Sequence, residues 1–417
     1  MAKRQTKNQK IAASYASTKA KRLDQVCHVR ELKIQTNKLT VAQAEALKMV
    51  FVEAKWLTNA VLSWINKGKK LEDYPTSSPV VVHKNKDGKN VKSKFQYLGS
   101  QIKQSVVEGI ASNLKTLSTH KTNGYKTGKL KFRSEISAVV LKQFKITYDI
   151  KKNKVRIQGI RGWMRVGGTH QLEGFDIANA RLLNTAQGYF LKVTCYRDKR
   201  KEPKPTKKEV GIDLGCETAV TLSDGRKFKA KIRESDRLKR LQACMSRQQR
   251  RSKGWWRTKR LLRIEHKKLV RRKDDRANKI VHEIRQYKEI YMQDELLRAW
   301  HSGRFGRSVQ HSVLGRVKAK IKPYATNVLP ASVPTTKTCY CCGRKRKMPL
   351  HRRIFKCRRC GNVEDRDIHS AKNMIYFSRN QIPVDSREVK RLDFGTSTGR
   401  RKTTGKSGGR RAKPLGL

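Results

Sequence analysis

Apolar residues recur along this chain at helical spacing in some stretches and alternate in others, and each pattern predicts its own kind of element. Thr40-x-x-Gln43 has the form of a capping box. Behind it Leu47, Val50, Phe51, Ala54, Leu57, Val61 and Ile65 fall on one helical face, which predicts a long helix. Residues 67–95 are a polar, lysine-rich connection. Ile102, Val106, Ile110 and Leu114 then mark a second amphipathic helix. From 130 to 200 the pattern changes to short runs at 130–132, 138–141, 144–148, 155–157, 163–166 and 189–195. Turn residues at Lys151-Lys152-Asn153-Lys154 and Ala186-Gln187-Gly188 separate some of them, which predicts an antiparallel barrel or curled sheet. The run at 26–34 pairs into the same sheet, with the two helices inserted between. Residues 1–22 lack periodicity and predict a flexible basic arm. The proline-broken, charged stretch at 200–208 marks a domain boundary.

Beyond that boundary Val210, Ile212 and Leu214 alternate onto one face of a strand, so Asp213 points to the other. The flanking glycines leave room for a backbone or phosphate to approach. A further run at 218–222 and the turn Ser223-Asp224-Gly225 complete a hairpin. Leu238, Leu241, Met245, Leu261, Leu269, Ile280 and Ile284 then form an apolar stripe among paired cations such as Lys239-Arg240, Arg250-Arg251 and Arg271-Arg272, which predicts one or two long basic helices. Trp255-Trp256 lies among them, either to stack on bases or to anchor a turn. His301 and His311 follow the next strand, either as ligands or, the preferred reading, as core or phosphate-contacting residues.

Composition narrows the partners. The chain carries 99 Lys and Arg against 33 Asp and Glu, a formal net charge of +66. Charge of that density calls for a long polyanion, with binding that weakens steeply as salt rises. No run of roughly eighteen apolar residues is present, which argues against a membrane role. Cys339-x-x-Cys342 and Cys357-x-x-Cys360 have the spacing of an all-cysteine zinc ribbon, with Cys341 as a spare thiol. Two disulfides are the alternative, but the chain shows no secretory signal and reads as intracellular and reduced. The Gly-, Ser- and cation-rich tail after 385 cannot build a core.

The order of these parts resembles the TnpB family, transposon-encoded RNA-guided DNA nucleases related to compact type V CRISPR effectors. The resemblance runs over residues 24–378 and rests on four blocks: Gly211-Ile212-Asp213-Leu214-Gly215; the basic helices; Val333-Pro334-Thr335-Thr336-Lys337-Thr338-Cys339; and Asp365-Arg366-Asp367 with Ala371 and Asn373. It implies a multidomain α/β fold. A wedge-like β-barrel (23–40 and 130–200) carries an inserted helical recognition lobe (41–129). An RNase H-like RuvC nuclease domain (209–337 and 362–384) is interrupted by the four-cysteine zinc ribbon (338–361). A basic arm (1–22) and a basic tail (385–417) flank them.

The same resemblance implies two-metal phosphodiester hydrolysis, with magnesium held by acids from three segments. Asp213 matches the first and Asp367 the third, with Asp365 a weaker substitute. The second acid is where the chain departs, because its position is Gln293, an amide that brings no charge to a cation. Glu295 returns to the Gln293 face about 6.6 Å further along an extended strand and is the preferred replacement, with Asp294 and then Glu283 behind it. The implied partners are a guide RNA and double-stranded target DNA beside a short protein-read motif, and the implied location is a prokaryotic cytoplasm with the nucleoid. Three readings compete: a nuclease-inactive guided binder marked by Gln293, a compact type V effector, and a transposase that joins strands itself.

Overall fold

A computed structural model of the chain describes residues 7–380 apart from Lys86, Glu202, Pro203, Ala230, 303–305 and Leu350. The basic tail, residues 1–6 of the arm and 381–384 of the expected nuclease segment lie outside the described residues. The chain divides into two compact units, Met1–Pro203 and Lys204–Leu417, and the division falls in the proline-broken stretch.

The first unit runs α1 (Lys7–Leu23), β1 (Gln25–Ile34), α2 (Val41–Asn66), β2 (Val80–Lys84), β3 (Asn90–Lys94), α3 (Ser100–Thr122), β4 (Ala138–Leu141), β5 (Tyr148–Lys151), β6 (Lys154–Ile157), β7 (Met164–Gly167), β8 (Asp176–Thr185) and β9 (Gly188–Asp198). Seven strands form one nearly closed antiparallel sheet in the order β4-β8-β9-β1-β7-β6-β5. Strand β1 lies at its centre, and α2 and α3 enter between β1 and β4 in the chain. The core is built from inward residues of the strands, among them Leu32, Ile34, Val155, Met164 and Leu191, against Leu47, Val50 and Phe51 of α2. The capping box is present: Thr40 Oγ1 accepts from the Gln43 amide and Gln43 Oε1 from that of Thr40.

Several elements differ from the sequence pattern, each for a physical reason. Residues 7–23 form α1 where an unstructured arm is expected. The helix is polar, so it shows no apolar stripe, but it is rich in good helix formers and its last turn is pinned to β8 by Lys21 and Arg22, both 2.8 Å from Asp176. The lysine-rich connection contains the β2–β3 hairpin, whose His83 stacks on Trp56 of α2 at 3.9 Å. Residues 130–132 form no strand. Residues 144–148 are mostly turn, with β5 beginning at Tyr148. Strand β8 escapes the alternation rule because a bulge between Ile177 and Ala180 breaks its period.

Buried Glu53 on α2 accepts the backbone amides of Gln96, Tyr97 and Leu98 at 2.9–3.0 Å, fixing the chain just before α3. Removing the carboxylate leaves three backbone donors without their acceptor, that of Leu98 buried. Glu53→Ala is expected to destabilise this unit by about 3 kcal/mol, measured as a lowered urea midpoint; an unchanged midpoint would show that water replaces the carboxylate freely.

The second unit runs β10 (Lys207–Leu214), β11 (Val220–Leu222), β12 (Lys227–Phe228), α4 (Asp236–Arg247), α5 (Lys253–Ile284), β13 (Tyr287–Gln293), α6 (Leu297–Ser302), α7 (Gly306–His311), α8 (Leu314–Ile321), β14 (Asn327–Leu329), β15 (Ile354–Lys356), β16 (Val363–Asp365) and α9 (Arg366–Asn380). Its sheet has the order β12-β11-β10-β13-β14. The first three strands are antiparallel, while β13 runs parallel to both β10 and β14. Strands β15 and β16 form a separate hairpin that carries the cysteine segment on to Asp365, past the expected boundary at 361, and straight into α9. Among the described residues no helix is long and apolar enough to cross a membrane.

Candidate functional site

The site begins with a missing side chain. A Cβ on Gly211 would lie 1.8 Å from the Ala371 carbonyl oxygen, so only glycine lets α9 settle onto β10. At that separation Ser370 Oγ donates to Asp213 Oδ1 at 2.9 Å. Asp367 sits in the first turn of the same helix, three residues before Ser370. On the other side of β10, Ile212 pairs in parallel register with Met292, which sets Asp213 beside Gln293 and lets Glu295 emerge just past the end of β13. Asp367 and Glu295, from two other segments, therefore come close enough to Asp213 for their charges to act on it.

Their electrostatics reflect that meeting. Part of Asp213 remains open to solvent, yet burial of its carboxyl pushes its pKa up to about 8. The Ser370 hydroxyl opposes this, the charges of Asp367 and Glu295 add to it, and Arg366 opposes it. Burial likewise pushes Glu295 up to about 7, with Lys318 opposing and Asp294 adding. Partly desolvated carboxylates are hard oxygen donors that a divalent cation would neutralise, so this donor set fits magnesium. The acids are more loosely gathered than the cysteines, the one group of possible metal ligands among the described residues whose donor atoms all lie within 4.8 Å. Asp367 is held by Arg366, at 3.0 Å from Nη2 and 3.1 Å from Nε.

The other candidate acids are engaged elsewhere. Asp294 bridges Lys318 at 2.6 Å and Lys322 at 2.9 Å, and those hydrogen bonds hold its carboxyl below the usual range. Glu283 pairs with Arg226 at 3.0 Å. Asp365 pairs with Lys227 at 2.6 Å and caps α9 by accepting the amides of Asp367 and Ile368. Neither His301 nor His311 joins a ligand cluster among the described residues. Trp255 is half-buried and Trp256 is 52% exposed near the start of α5, with Lys259 Nζ 4.5 Å from both rings.

The cysteine segment folds as its spacing predicts. Each C-x-x-C is closed by a glycine at φ +72°, Gly343 and Gly361, whose amides return to the carbonyls of Cys339 and Cys357. Cys339 and Cys360 sulfurs lie 3.6 Å apart and those of Cys342 and Cys357 3.5 Å apart. Disulfide sulfurs would be about 2 Å apart, and four thiolates around one zinc about 3.8 Å apart. All nine cysteines are free. Backbone amides of Cys360 and Arg359 bring the Cys357 thiol down to about 6.

Sequence reasoning assigned no role to the residues that join these parts. Ser370 is one. Thr335, buried 3.1 Å from Ser370 Oγ, is another. Buried His369 contacts the Thr338 carbonyl through Nε2 at 2.8 Å and stacks on Phe355 of β15. Asn373 donates to the carbonyls of Thr335 and Thr338 at 2.7 and 2.8 Å. The available signal was spacing, since Ser370 and Asn373 follow Asp367 at intervals of three on a helix.

Residues 192–294 match the OrfB_IS605 family, described as "Probable transposase", and residues 316–374 match the Cas12f1-like TNB domain. A curated protein of Streptomyces pristinaespiralis named "Putative RNA-guided DNA endonuclease" is 28% identical over 186 residues. The chain is TnpB-like. That match covers 42% of the TnpB-like chain and 46% of the relative, so it spans about half the relative's length. A solved Cas12f1 complex with guide RNA and target DNA superposes with TM-score 0.45 at 13% identity, covering 87% of this chain and 86% of that one. The mini-RNA-guided endonuclease Cas-phi3 gives 0.46 at 10% identity, covering 87% and 94%. Scores below 0.5 add nothing to the fold read from the strands.

Gly211→Ala is expected to force α9 off β10 at a cost of about 3 kcal/mol, read as a lowered urea midpoint. A wild-type midpoint would mean that the helix does not need this contact.

Proposed function

We propose that this TnpB-like chain is an RNA-guided, magnesium-dependent DNA endonuclease whose cysteine segment is a structural zinc ribbon. The observation that carries the reading is the convergence of Asp213, Glu295 and Asp367 at the end of two parallel strands and the first turn of α9. The mixed sheet order supports an RNase H-like nuclease of the RuvC kind. The matched families and the curated relative's name support guide and target as RNA and DNA. The net charge of +66 supports the same partners, and α4 and α5 offer cations for the backbone of a guide–target duplex. Short-motif reading would belong to the N-terminal unit.

Bound magnesium would supply charge neutralisation at the scissile phosphate and activation of a water. Asp213, Glu295 and Asp367 would hold it. Ser370 orients Asp213 by donating to Oδ1, and Arg366 steadies Asp367. Lys318 and Lys322 hold Asp294 in ion pairs. The competing reading, a guided binder that does not cut, rests on Gln293.

With co-purified guide RNA and a matching plasmid, Asp213→Ala, Glu295→Ala and Asp367→Ala are each expected to lower magnesium-dependent cleavage about 100-fold or more while leaving guide-dependent binding intact. Asp294→Ala is expected to cut nearly as well as the unmodified protein. Binding without cutting by the unmodified protein would establish the binder instead. Cys357→Ser is expected to reduce bound zinc from about one equivalent to a small fraction of it, measured by elemental analysis. Unchanged zinc content would remove the ribbon.

A further inference from the structure

In the family this chain resembles, position 293 belongs to an acid, and the simplest account of Gln293 is a lost one. Its surroundings are those of an amide. Gln293 is 4% exposed at the end of β13. Its Nε2 donates to the carbonyls of Pro330 at 2.9 Å and Val333 at 2.8 Å, and its Oε1 accepts from Thr335 Oγ1 at 3.2 Å. Two carbonyl oxygens on one side demand a donor there, so the amide orientation follows from its neighbours. A carboxylate in the same place would set an oxygen against both carbonyls with no proton between them.

The contacts continue toward the acids. Thr335 Oγ1 lies 3.1 Å from Ser370 Oγ, and Ser370 Oγ lies 2.9 Å from Asp213 Oδ1. Thr335 and Ser370 are both buried, so water does not substitute for either hydroxyl. With its proton given to Gln293, Thr335 turns lone pairs toward Ser370 and so shares with Asp213 the single Ser370 proton, which sets where that hydroxyl sits.

We propose that Gln293 is a positioning residue: its amide, locked by the 330–335 segment, sets Thr335 and Ser370 against Asp213, and its position is not a vacated seat for the second acid. The proposal rests on the reading of Asp213 as a magnesium-holding acid.

The test uses the full-length protein with its guide RNA. Gln293→Glu is expected to lower the melting temperature by several degrees and to leave cleavage by the Glu295→Gln variant unrescued when the two are combined. Thr335→Val, which keeps shape but removes the hydroxyl, is expected to raise the magnesium concentration for half-maximal cleavage about tenfold. It should also shrink the magnesium-induced rise in melting temperature, and Thr335→Ser should restore both. A purely structural role would leave both magnesium readouts of Thr335→Val at the unmodified values, and that result overturns the proposal. So does rescue of the Glu295→Gln variant by Gln293→Glu. If the unmodified protein does not cut, the nuclease reading fails by itself, and the Gln293→Glu melting shift with the magnesium-induced shifts still decides the role of Gln293.

Discussion

The approach of α9 to β10 is the constraint on which the rest of the second unit depends. A backbone carbonyl occupies the space where a Cβ on Gly211 would stand. Only that closeness lets a side chain as short as serine span from the helix to Asp213. One turn on, the same helix grips the 335–338 segment through Asn373, and His369 lays its ring on Phe355 of the cysteine hairpin. A single helix thus couples the acidic end of the sheet to the cysteine cluster, and its first turn carries Asp367.

Charge pairing distinguishes the acids of the second unit from one another. In a chain with three cations for every acid, an acid is readily neutralised by a neighbour, and Glu209, Glu283, Asp294 and Asp365 all are. Such surface pairs contribute little stability. Asp367, 3.0 Å from Arg366 Nη2, is paired as well. Asp213 and Glu295 form no salt bridge among the described residues, and burial raises both. Binding a divalent cation would relieve the tension that burial and proximity create.

Local patterns were legible wherever one element could satisfy itself. The capping box at Thr40, the apolar face of α2 and the hairpin turn at Asn153, which takes φ +56°, follow from neighbours in sequence. The same reasoning failed where stability comes from afar. Helix α1 lacks an apolar stripe and is anchored by Asp176, more than 150 residues away. Strand β8 is held by its pairing with β9 across a bulge, and the β2–β3 hairpin lies in a stretch whose lysines masked its alternation.

The sequence by itself determined the cysteine knuckles, because two ligands three residues apart and a following glycine form one turn whatever surrounds them. It also determined the strand bearing Asp213, since alternation alone assigns its face. The tertiary structure decided which acids stand near Asp213 and which groups Gln293 bonds. Those outcomes rest on hydrogen bonds and ion pairs between residues from 24 to 157 positions apart, such as Asp294 with Lys318 and Ser370 with Asp213. No local pattern encodes such pairs, because each exists only once strands and helices from separate segments have packed.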